Sequence, residues 1–422
     1  MGRYGLLGEK LGHSYSKLIH ESFGGYEYDM FPMPPEAVEG FMRAREFSAI
    51  NVTIPYKEKV MPFLDTISDN AREIGSVNTV VKDASGALHG YNTDKYGFMQ
   101  LTYRSGIEIQ GRKCLILGSG GSSKMVRVAL REMGAREVRV ISRSGEDNYT
   151  NLDRHADAQI IVNTTPVGMY PNNGVSPIDL AMFPRCEGVL DIIYNPAKTA
   201  LLLEAERRGL RCANGLHMLV AQAKLASELF RDVKLDDAVI DDVRARIERD
   251  THNIVLIGMP GSGKTTLGRL LAARMGRRFI DTDEMIPELS GGRQAGEVIR
   301  AQGENEFRRI ETEALSQACK QSGCVIATGG GVVTQMRNAD IMRQNSVVFF
   351  IDRPLDMLEV GNGRPLSATR AQTAALYAMR RPLYEGMCDV RVENIDLDSA
   401  LDGIMGAFDA HFGRTCFKEG KV

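Results

Sequence analysis

The pattern of apolar and polar positions predicts strands and helices that alternate along the chain. Short apolar runs, typical of buried parallel strands, lead into glycine at three places: 115–117, 254–257 and 324–328. In open α/β sheets, ligands bind at the carboxyl ends of such strands. The pattern therefore predicts an α/β fold with ligand-facing glycine turns, although a plain strand-to-helix turn without a ligand also fits the first cluster.

Other segments continue this rhythm and divide the chain into two halves. Further strands are predicted at 49–54, 79–82, 137–141, 159–163, 188–192 and 279–283, and helices at 57–64, 124–133, 218–230, 236–249 and 266–275. A junction at 250–252 precedes a new strand that restarts the pattern at Asn253. We therefore predict one domain over residues 1–250 and a second over residues 251–422.

Composition narrows the class of protein. The formal net charge is −2, which argues against a nucleic-acid binder driven by bulk charge. The seven cysteines have no regular spacing, as in proteins of a reducing cytoplasm. No apolar run approaches the roughly 18 residues that a membrane-spanning helix needs. We expect a cytoplasmic enzyme that binds neither nucleic acid nor membrane, and the sequence does not indicate its oligomeric state.

The strongest motif is a phosphate-binding loop. Residues 258–265 fit the pattern G-x-x-x-x-G-K-[ST] between a predicted strand and a predicted helix. Backbone N–H groups of such a loop converge on phosphate oxygens at a helix N-terminus. The residues expected to hold a nucleoside triphosphate are Gly258, Gly261, Ser262, Gly263, Lys264 and Thr265, with Lys264 on the β- and γ-phosphates and Thr265 on Mg²⁺.

Charged residues near this loop suggest an acceptor site. Asp281 and Asp283 end the predicted strand at 279–283, where residues i and i+2 share a face, so both carboxylates can enter one cleft. One could orient a Mg²⁺-bound water and the other could hold a substrate hydroxyl. Arg308 and Glu311 lie three residues apart on a helical face, and taken alone they are typical of a surface ion pair.

In combination, these features resemble shikimate kinase over residues 252 to about 410. The matching segments, in family order, are the phosphate-binding loop, 281–283, 307–311, 329–331, 364–366 and 380–384. The resemblance implies that Asp283 contacts the ring hydroxyls of shikimate and accepts the attacking proton, and that Asp281 serves Mg²⁺ through water. It also implies that Arg308 and Arg380 bind the substrate carboxylate, since guanidinium forks suit that group.

The remaining implied roles concern backbone groups and a lid. Gly330 and Gly331 would offer backbone N–H groups to shikimate, and Arg364, in a closing lid, would cover the phosphates of ATP. The stretch 367–379 is a few residues shorter than the usual lid of the family.

The first half carries weaker signals one by one. Ser14 and Ser16 place two hydroxyls two residues apart, which fits a helix N-cap as well as a ligand site. Segment 51–57 ends a strand at a proline and puts Lys57 at the start of the predicted helix 57–64. A lysine at a helix start faces an unfavourable helix dipole, which tends to lower its pKa and so suits acid/base chemistry. The same position fits an ordinary solvated lysine equally well.

Together these segments resemble shikimate dehydrogenase from Tyr4 to about Phe230. The matching segments are 14–16, 51–57, Asn78, 92–94, 118–121, 163–169, 191–196 and 218–222. The resemblance implies an N-terminal α/β substrate domain (about 1–105 plus C-terminal helices) and a Rossmann-type NADP-binding half (about 106–215). A P-loop kinase domain with a parallel sheet and a lid then follows.

The dehydrogenase resemblance also assigns roles. Ser14 and Ser16 would bind the carboxylate, and Lys57 and Asp94 would form the catalytic pair. The residues expected to hold the ring are Thr53, Asn78, Tyr194 and Gln222. Lys57 would protonate the developing alkoxide while a nicotinamide delivers hydride.

The cofactor turn is expected at Gly118, Gly120 and Gly121, and Arg143 stands at the next strand end, where it can meet a 2′-phosphate. This arrangement favours NADP(H), despite acids at 146 and 147.

The leading hypothesis is a bifunctional enzyme that reduces 3-dehydroshikimate with NADPH and then phosphorylates shikimate with ATP and Mg²⁺. A quinate/shikimate dehydrogenase that uses NAD, fused to the same kinase, is the alternative within enzymes. A catalytically silent regulatory domain is a third interpretation, but it predicts a lost catalytic residue, and Lys57, Asp94 and Lys264 are all present.

Overall fold

A computed structural model describes residues 2–12, 14–358 and 369–413 of this α/β protein. Backbone contacts divide the chain into two compact units. The first unit runs up to Gly168 and includes Val175–Tyr194 and Glu204–Arg244; the second comprises Met169–Gly174, Asn195–Leu203 and the chain from Ala245 onward. Within the described ranges, no helix is both long and apolar enough to cross a membrane.

The first sheet is mixed and belongs to the first unit. Its strands are β1 (Tyr4–Gly8), β2 (Tyr28–Pro32), β3 (Ala49–Val52), β4 (Thr66–Ile67), β5 (Thr79–Lys82) and β6 (Leu88–Tyr91), in the order β2-β1-β3-β5-β6-β4. The helices of this segment are α1 (Ser16–Ser22), α2 (Val38–Ala44), α3 (Asp69–Ile74) and α4 (Asp94–Ser105). The strands β1, β2 and β3 are parallel, whereas β5 runs antiparallel to both β3 and β6.

The second sheet is wholly parallel, as the glycine-ended strands predicted. Its strands are β7 (Lys113–Leu117), β8 (Glu137–Ile141), β9 (Ile160–Asn163), β10 (Gly188–Asp191) and β11 (Arg211–Asn214), in the order β11-β10-β9-β7-β8. The helices that follow in the chain are α5 (Gly121–Glu132), α6 (Ala200–Arg207), α7 (Leu216–Arg231) and α8 (Ala238–Thr251). The order places the turn after β7 beside the ends of β8 and β9.

The third sheet is also parallel and lies in the second unit. Its strands are β12 (Asn253–Ile257), β13 (Arg278–Asp281), β14 (Cys324–Ala327), β15 (Ser346–Asp352) and β16 (Val390–Glu393), in the order β13-β14-β12-β15-β16. Its helices are α9 (Lys264–Met275), α10 (Thr282–Leu289), α11 (Ala295–Gln302), α12 (Glu304–Cys319), α13 (Arg337–Arg343), α14 (Arg370–Met387) and α15 (Leu397–His411). Strand β12 is central and fully buried, which explains its apolar run.

One predicted helix does not form, and two predicted strands end two residues early. Residues 57–64 form turns and a short 3₁₀ helix, Met61–Phe63, because the carbonyl of Lys57 accepts the N–H of Val77 at 2.8 Å from a distant segment. The helix-dipole argument for Lys57 therefore has no structural basis. The predicted strand 49–54 ends at Val52, and the predicted strand 279–283 ends at Asp281, where α10 begins at the next residue.

Candidate active sites

A cavity of about 400 Å³ in the first unit collects the predicted substrate residues of this half. The predicted residues that line it are Ser14, Ser16, Thr53, Lys57, Asn78, Asp94, Tyr194 and Gln222. They come from the loops after β1, β3 and β10, from the starts of α1, α4 and β5, and from α7. The fold thus brings to one place residues that are up to about 200 positions apart in the sequence, in keeping with ligand binding at strand ends.

Lys57 and Asp94 form the charged pair of this cavity. The Lys57 ammonium donates to Asp94 Oδ2 at 2.6 Å, and the two side chains are 26% and 16% exposed. Both residues also line a second cavity of about 370 Å³, whose wall includes Gly120 and Gly121 of the glycine turn. The pair therefore stands between the substrate cavity and the cavity beside the glycine turn.

Ser14 and Ser16 lie at the start of α1. Ser14 Oγ accepts the N–H of Ser16 at 3.2 Å and donates to Ser16 Oγ at 2.9 Å. The N-cap position itself is Tyr15, which makes no side-chain capping bond. Tyr15 lies instead against Tyr194, with ring centroids 5.6 Å apart, and burial raises the pKa of Tyr194. The phenol of Tyr194 consequently stays protonated and can donate a hydrogen bond in the cavity.

The amides of this cavity are held by other polar groups. Asn78 is buried; its Nδ2 donates to Thr93 Oγ1 at 3.0 Å and its Oδ1 accepts the Thr93 N–H at 2.7 Å. Gln222 donates to the carbonyl of Leu219 at 2.9 Å. Their orientations are thereby fixed before a ligand arrives, which is the preorganisation that a specific site needs.

Sequence reasoning missed a role for Asn51. This buried residue lines the cavity, accepts the Tyr28 hydroxyl at 2.7 Å, and donates to Thr79 Oγ1 at 3.1 Å and to the carbonyl of Asn78 at 3.3 Å. A polar amide inside an otherwise apolar strand was the available signal, because buried polar groups need partners.

A third cavity of about 710 Å³ lies beside the second sheet. Gly118, Gly120 and Arg143 line it, whereas Gly121 lines the neighbouring cavity. Gly118 has φ of 101°, and a Cβ there would lie 2.9 Å from Thr165 Cγ2, so the tight turn requires glycine. Sequence reasoning did not single out Tyr149, which also lines this cavity.

The charges around the third cavity suit an anionic ligand. Within the described residues, no carboxylate lines it. One of the two nearby acids, Asp147, lies 2.9 Å from His155 Nε2 and 3.6 Å from Arg139 Nη1. These two side chains hold its carboxylate away from the cavity lining. Arg143 is consequently the charged group that a 2′-phosphate would meet, and these residues fit NADP(H).

The phosphate-binding loop of the second unit forms a cradle with a backbone conformation that glycine adopts readily and other residues do not. Gly258, Gly261 and Gly263 have φ of 150°, 80° and 90°, which favour glycine. The Lys264 ammonium donates to the carbonyls of Gly258 and Met259 at 3.0 and 2.9 Å, and a Cβ on Gly263 would lie 2.6 Å from Asn394 Nδ2. Ser262 Oγ is buried without a hydrogen-bond partner among the described residues. The cradle therefore fits a phosphate group.

Two side-chain oxygen groups that could bind a metal ion, those of Thr265 and Asp281, contact each other beside this loop. Thr265 Oγ1 donates to Asp281 Oδ2 at 2.8 Å, and Asp281 Oδ1 accepts the N–H of Asp283 at 3.0 Å. The two aspartates do not share a strand face as predicted: Asp281 caps α10 and Asp283 lies in its first turn. The described residues contain no cluster of three metal-ligating side chains. A hydroxyl and a carboxylate suit Mg²⁺, which keeps several waters and phosphate oxygens as ligands.

Arg308 and Glu311 form a buried ion pair, so the interpretation as a surface pair is wrong. Arg308 Nη1 lies 2.7 Å from Glu311 Oε2, and the side chains are 8% and 2% exposed. A Cβ on Gly329 would lie 2.8 Å from Asp283 Oδ1 and 2.6 Å from Glu311 Oε1, and a Cβ on Gly331 would overlap the Arg308 guanidinium. The glycine run therefore lets these charged groups approach the backbone closely.

Arg380 reaches the same glycine run from α14. Its Nη1 donates to the carbonyl of Gly330 at 3.0 Å, and its Nε is buried without a partner among the described residues. The Tyr384 hydroxyl donates to the same carbonyl at 2.5 Å, and burial raises the pKa of Tyr384 to about 12. Arg364, the predicted lid residue, lies outside the described residues.

Comparisons with known proteins match both halves of the chain to known families. The family "Shikimate dehydrogenase substrate binding domain" matches residues 6–80, and the family "Shikimate kinase" matches residues 260–402. A shikimate dehydrogenase (NADP+) of Clostridium perfringens is 35% identical over 266 residues, which cover 58% of this chain and 97% of the relative.

Solved structures give the same result. A chorismate mutase/shikimate 5-dehydrogenase fusion protein from Clostridium acetobutylicum is 36% identical with a TM-score of 0.56, over 58% of this chain and 97% of that one. Shikimate 5-dehydrogenase from Thermus thermophilus, in complex with NADP(H) and shikimate, is 34% identical with a TM-score of 0.53, over 58% and 99%. This chain therefore belongs to the shikimate dehydrogenase family and, with its shikimate kinase domain, is a fusion of the two enzymes.

Proposed function

We propose that this chain catalyses two consecutive steps: NADPH-dependent reduction of 3-dehydroshikimate to shikimate, and ATP-dependent phosphorylation of shikimate to shikimate 3-phosphate. The observation that carries the first step is the 2.6 Å contact between Lys57 and Asp94, which faces both the substrate cavity and the cavity beside the glycine turn. We assign the first activity to residues 1–250 and the second to residues 251–422, in the cytoplasm.

In the first reaction, residues of the chain hold the substrate and move one proton. Ser14 and Ser16 bind the carboxylate with their hydroxyls, and Thr53, Asn78, Tyr194 and Gln222 hold the ring hydroxyls. NADPH supplies the hydride when bound. Lys57 Nζ donates its proton to the developing alkoxide oxygen, and Asp94 directs the ammonium at that oxygen.

For the cofactor, we propose that Gly118, Gly120 and Gly121 admit the pyrophosphate and that Arg143 binds the 2′-phosphate. The absence of a lining carboxylate among the described residues of the third cavity supports NADP(H) over NAD. Use of quinate with NAD remains the alternative, and steady-state rates with both cofactors and both polyols separate the two.

In the second reaction, the chain positions a hydroxyl and stabilises charge. Arg308 and Arg380 bind the substrate carboxylate, beside the backbone of Gly330 and Gly331, and Asp283 accepts the proton of the attacking hydroxyl. Phosphate oxygens of ATP lie in the cradle formed by Gly258, Gly261, Ser262, Gly263 and Lys264. Thr265 and Asp281 would hold Mg²⁺, and Arg364, which lies outside the described residues, is expected from the resemblance to cover the phosphates. Catalysis is then mainly positioning and charge stabilisation.

A coupled assay tests the whole proposal. The full chain is supplied with 3-dehydroshikimate, NADPH, ATP and Mg²⁺, and shikimate 3-phosphate is measured by mass spectrometry. We expect its formation to require both NADPH and ATP. Accumulation of shikimate without the phosphorylated product would contradict the second activity and support a silent kinase domain.

A further inference from the structure

Glu304 occupies one arm of the guanidinium that is proposed to bind substrate in the second unit. Its Oε1 lies 3.0 Å from Arg308 Nη2, while Glu311 takes Nη1 at 2.7 Å. Both terminal nitrogens of Arg308 are thus paired with a carboxylate of the chain itself. A substrate carboxylate that binds Arg308 must share the fork with these two groups or displace one of them.

The two carboxylates differ greatly in burial. The Glu311 side chain is 2% exposed, whereas that of Glu304 is 59% exposed. Displacing Glu311 would leave a buried charge unpaired, which is costly. Displacing Glu304 leaves no carboxylate buried, because its side chain passes into water while the substrate carboxylate takes its place on the buried Arg308.

The position of Glu304 in the fold permits this movement. It is the first residue of α12, directly after Gly303, whose φ of 87° and ψ of 167° lie outside the helical region. Glu304 makes its ion pair from the end of the helix, whereas Arg308 and Glu311 lie one and two turns inside it.

The balance of charges in this cluster also favours displacement of Glu304. Asp283 and Arg380 both act electrostatically on Glu311, so the cluster contains the two arginines and the carboxylates of Asp283, Glu311 and Glu304. A further carboxylate from the substrate would place four negative groups around two positive ones. Release of Glu304 into solvent relieves that excess.

We propose that Glu304 is an internal competitor that holds Arg308 until the carboxylate of the substrate displaces it, and that it thereby sets the affinity for substrate. This inference rests on the proposed kinase function. Because the Glu304 carboxylate is mostly in water although Arg308 is buried, we expect removal of the competitor to strengthen apparent substrate binding about two- to fivefold.

The test compares Glu304→Gln with Glu306→Gln in the full chain. Glu306 lies in the same first turn and pairs with Arg309 at 2.7 Å, so its substitution removes the same charge without touching Arg308. Initial kinase rates are measured against shikimate at saturating ATP and Mg²⁺, without NADP+. We expect a two- to fivefold lower KM for shikimate in Glu304→Gln, with unchanged kcat and unchanged KM for ATP.

Other outcomes overturn the inference. An unchanged or raised KM in Glu304→Gln would mean that Glu304 is neutral or helps to orient Arg308. An equal decrease in Glu306→Gln would attribute the effect to bulk charge. Wild-type protein that does not phosphorylate shikimate would contradict the proposed function itself, a result distinct from an intact wild-type rate with an unmoved KM. Dehydrogenase activity, which we expect to be unchanged in both variants, reports on folding.

Discussion

Lys57 and Asp94 are 37 positions apart in the sequence, yet a hydrogen bond of 2.6 Å joins Lys57 Nζ to Asp94 Oδ2. A loop after β3 supplies the lysine and the first turn of α4 supplies the aspartate. The pair therefore depends on the tertiary fold of the substrate sheet.

Lys57→Ala should abolish turnover of the dehydrogenase and leave the kinase near normal. Loss of a general acid lowers the rate by about 10²- to 10⁴-fold. The measurement is the initial rate of NADPH oxidation with 3-dehydroshikimate, and the kinase rate of the same sample is the internal control. A parallel loss of both activities would point to misfolding or to a wrong assignment of domains.

Lys264→Ala should abolish turnover of the kinase and leave the dehydrogenase near normal. The ammonium lies in the phosphate cradle, and loss of one group that stabilises transition-state charge typically lowers kcat by about 10²- to 10³-fold. ATP-dependent phosphorylation of shikimate measures it, with Lys320→Ala as a lysine control from the end of α12. Full kinase activity in Lys264→Ala would refute the role of the loop.

Arg143→Ala should weaken the use of NADP+ selectively. A hydrogen bond to a charged group contributes about 1.5–3 kcal/mol, so KM for NADP+ should rise roughly 10- to 150-fold while KM for NAD stays unchanged. Arg136→Ala, at an exposed position before β8, is the matched control. Equal effects on both cofactors would show that Arg143 does not contact the 2′-phosphate.

Tyr28→Phe should disturb the substrate cavity from a distance. The variant removes the hydroxyl that donates to Asn51 Oδ1, and loss of one hydrogen bond typically costs about 0.5–1.5 kcal/mol of stability. Because Asn51 also donates to the carbonyl of Asn78, we expect the KM for shikimate in the dehydrogenase reaction to rise while the KM for NADP+ stays constant. Equal changes in both constants would indicate a general loss of structure instead.

His20 should make the protein less stable as the solution becomes acidic. It is fully buried, stacks on Tyr28 with ring centroids 4.1 Å apart, and has a pKa lowered from 6.5 to about 3 by burial. Between these values the unfolded chain binds a proton that the folded chain does not, so lowering the pH favours unfolding by about 1.4 kcal/mol per pH unit.

Urea unfolding between pH 6 and 5 measures this effect above the range in which most carboxylates titrate. His20→Phe keeps the ring stack and should reduce the slope, and the slope that remains includes the contribution of His252, whose pKa is also lowered, to about 4, by burial. An unchanged slope in His20→Phe would contradict the assignment.

The sequence was informative where local patterns coincide with the function. The apolar runs before Gly118, Gly258 and Gly329 are buried strands, and the residues that resemblance assigned to the dehydrogenase substrate line one cavity. Glycine turns and buried strands leave short-range signals, since backbone geometry and burial restrict the residue types allowed.

The errors arose where distant segments decide the structure. Residues 57–64 have helical periodicity, yet Val77 takes the carbonyl of Lys57 and the helix does not form. The spacing of Arg308 and Glu311 is the same in a surface pair and a buried one, so only packing distinguishes the two. Asn51 was missed because its partners lie on other strands.

Gly331 has a consequence for inhibitor design. Because any side chain at this position would overlap the Arg308 guanidinium, a mutation there displaces the group proposed to bind the natural substrate. Consider an inhibitor that contacts both Arg308 and the backbone of Gly331. A substitution of Gly331 that blocks its binding would also weaken substrate binding by the enzyme. We expect selection for resistance to yield few changes at that glycine.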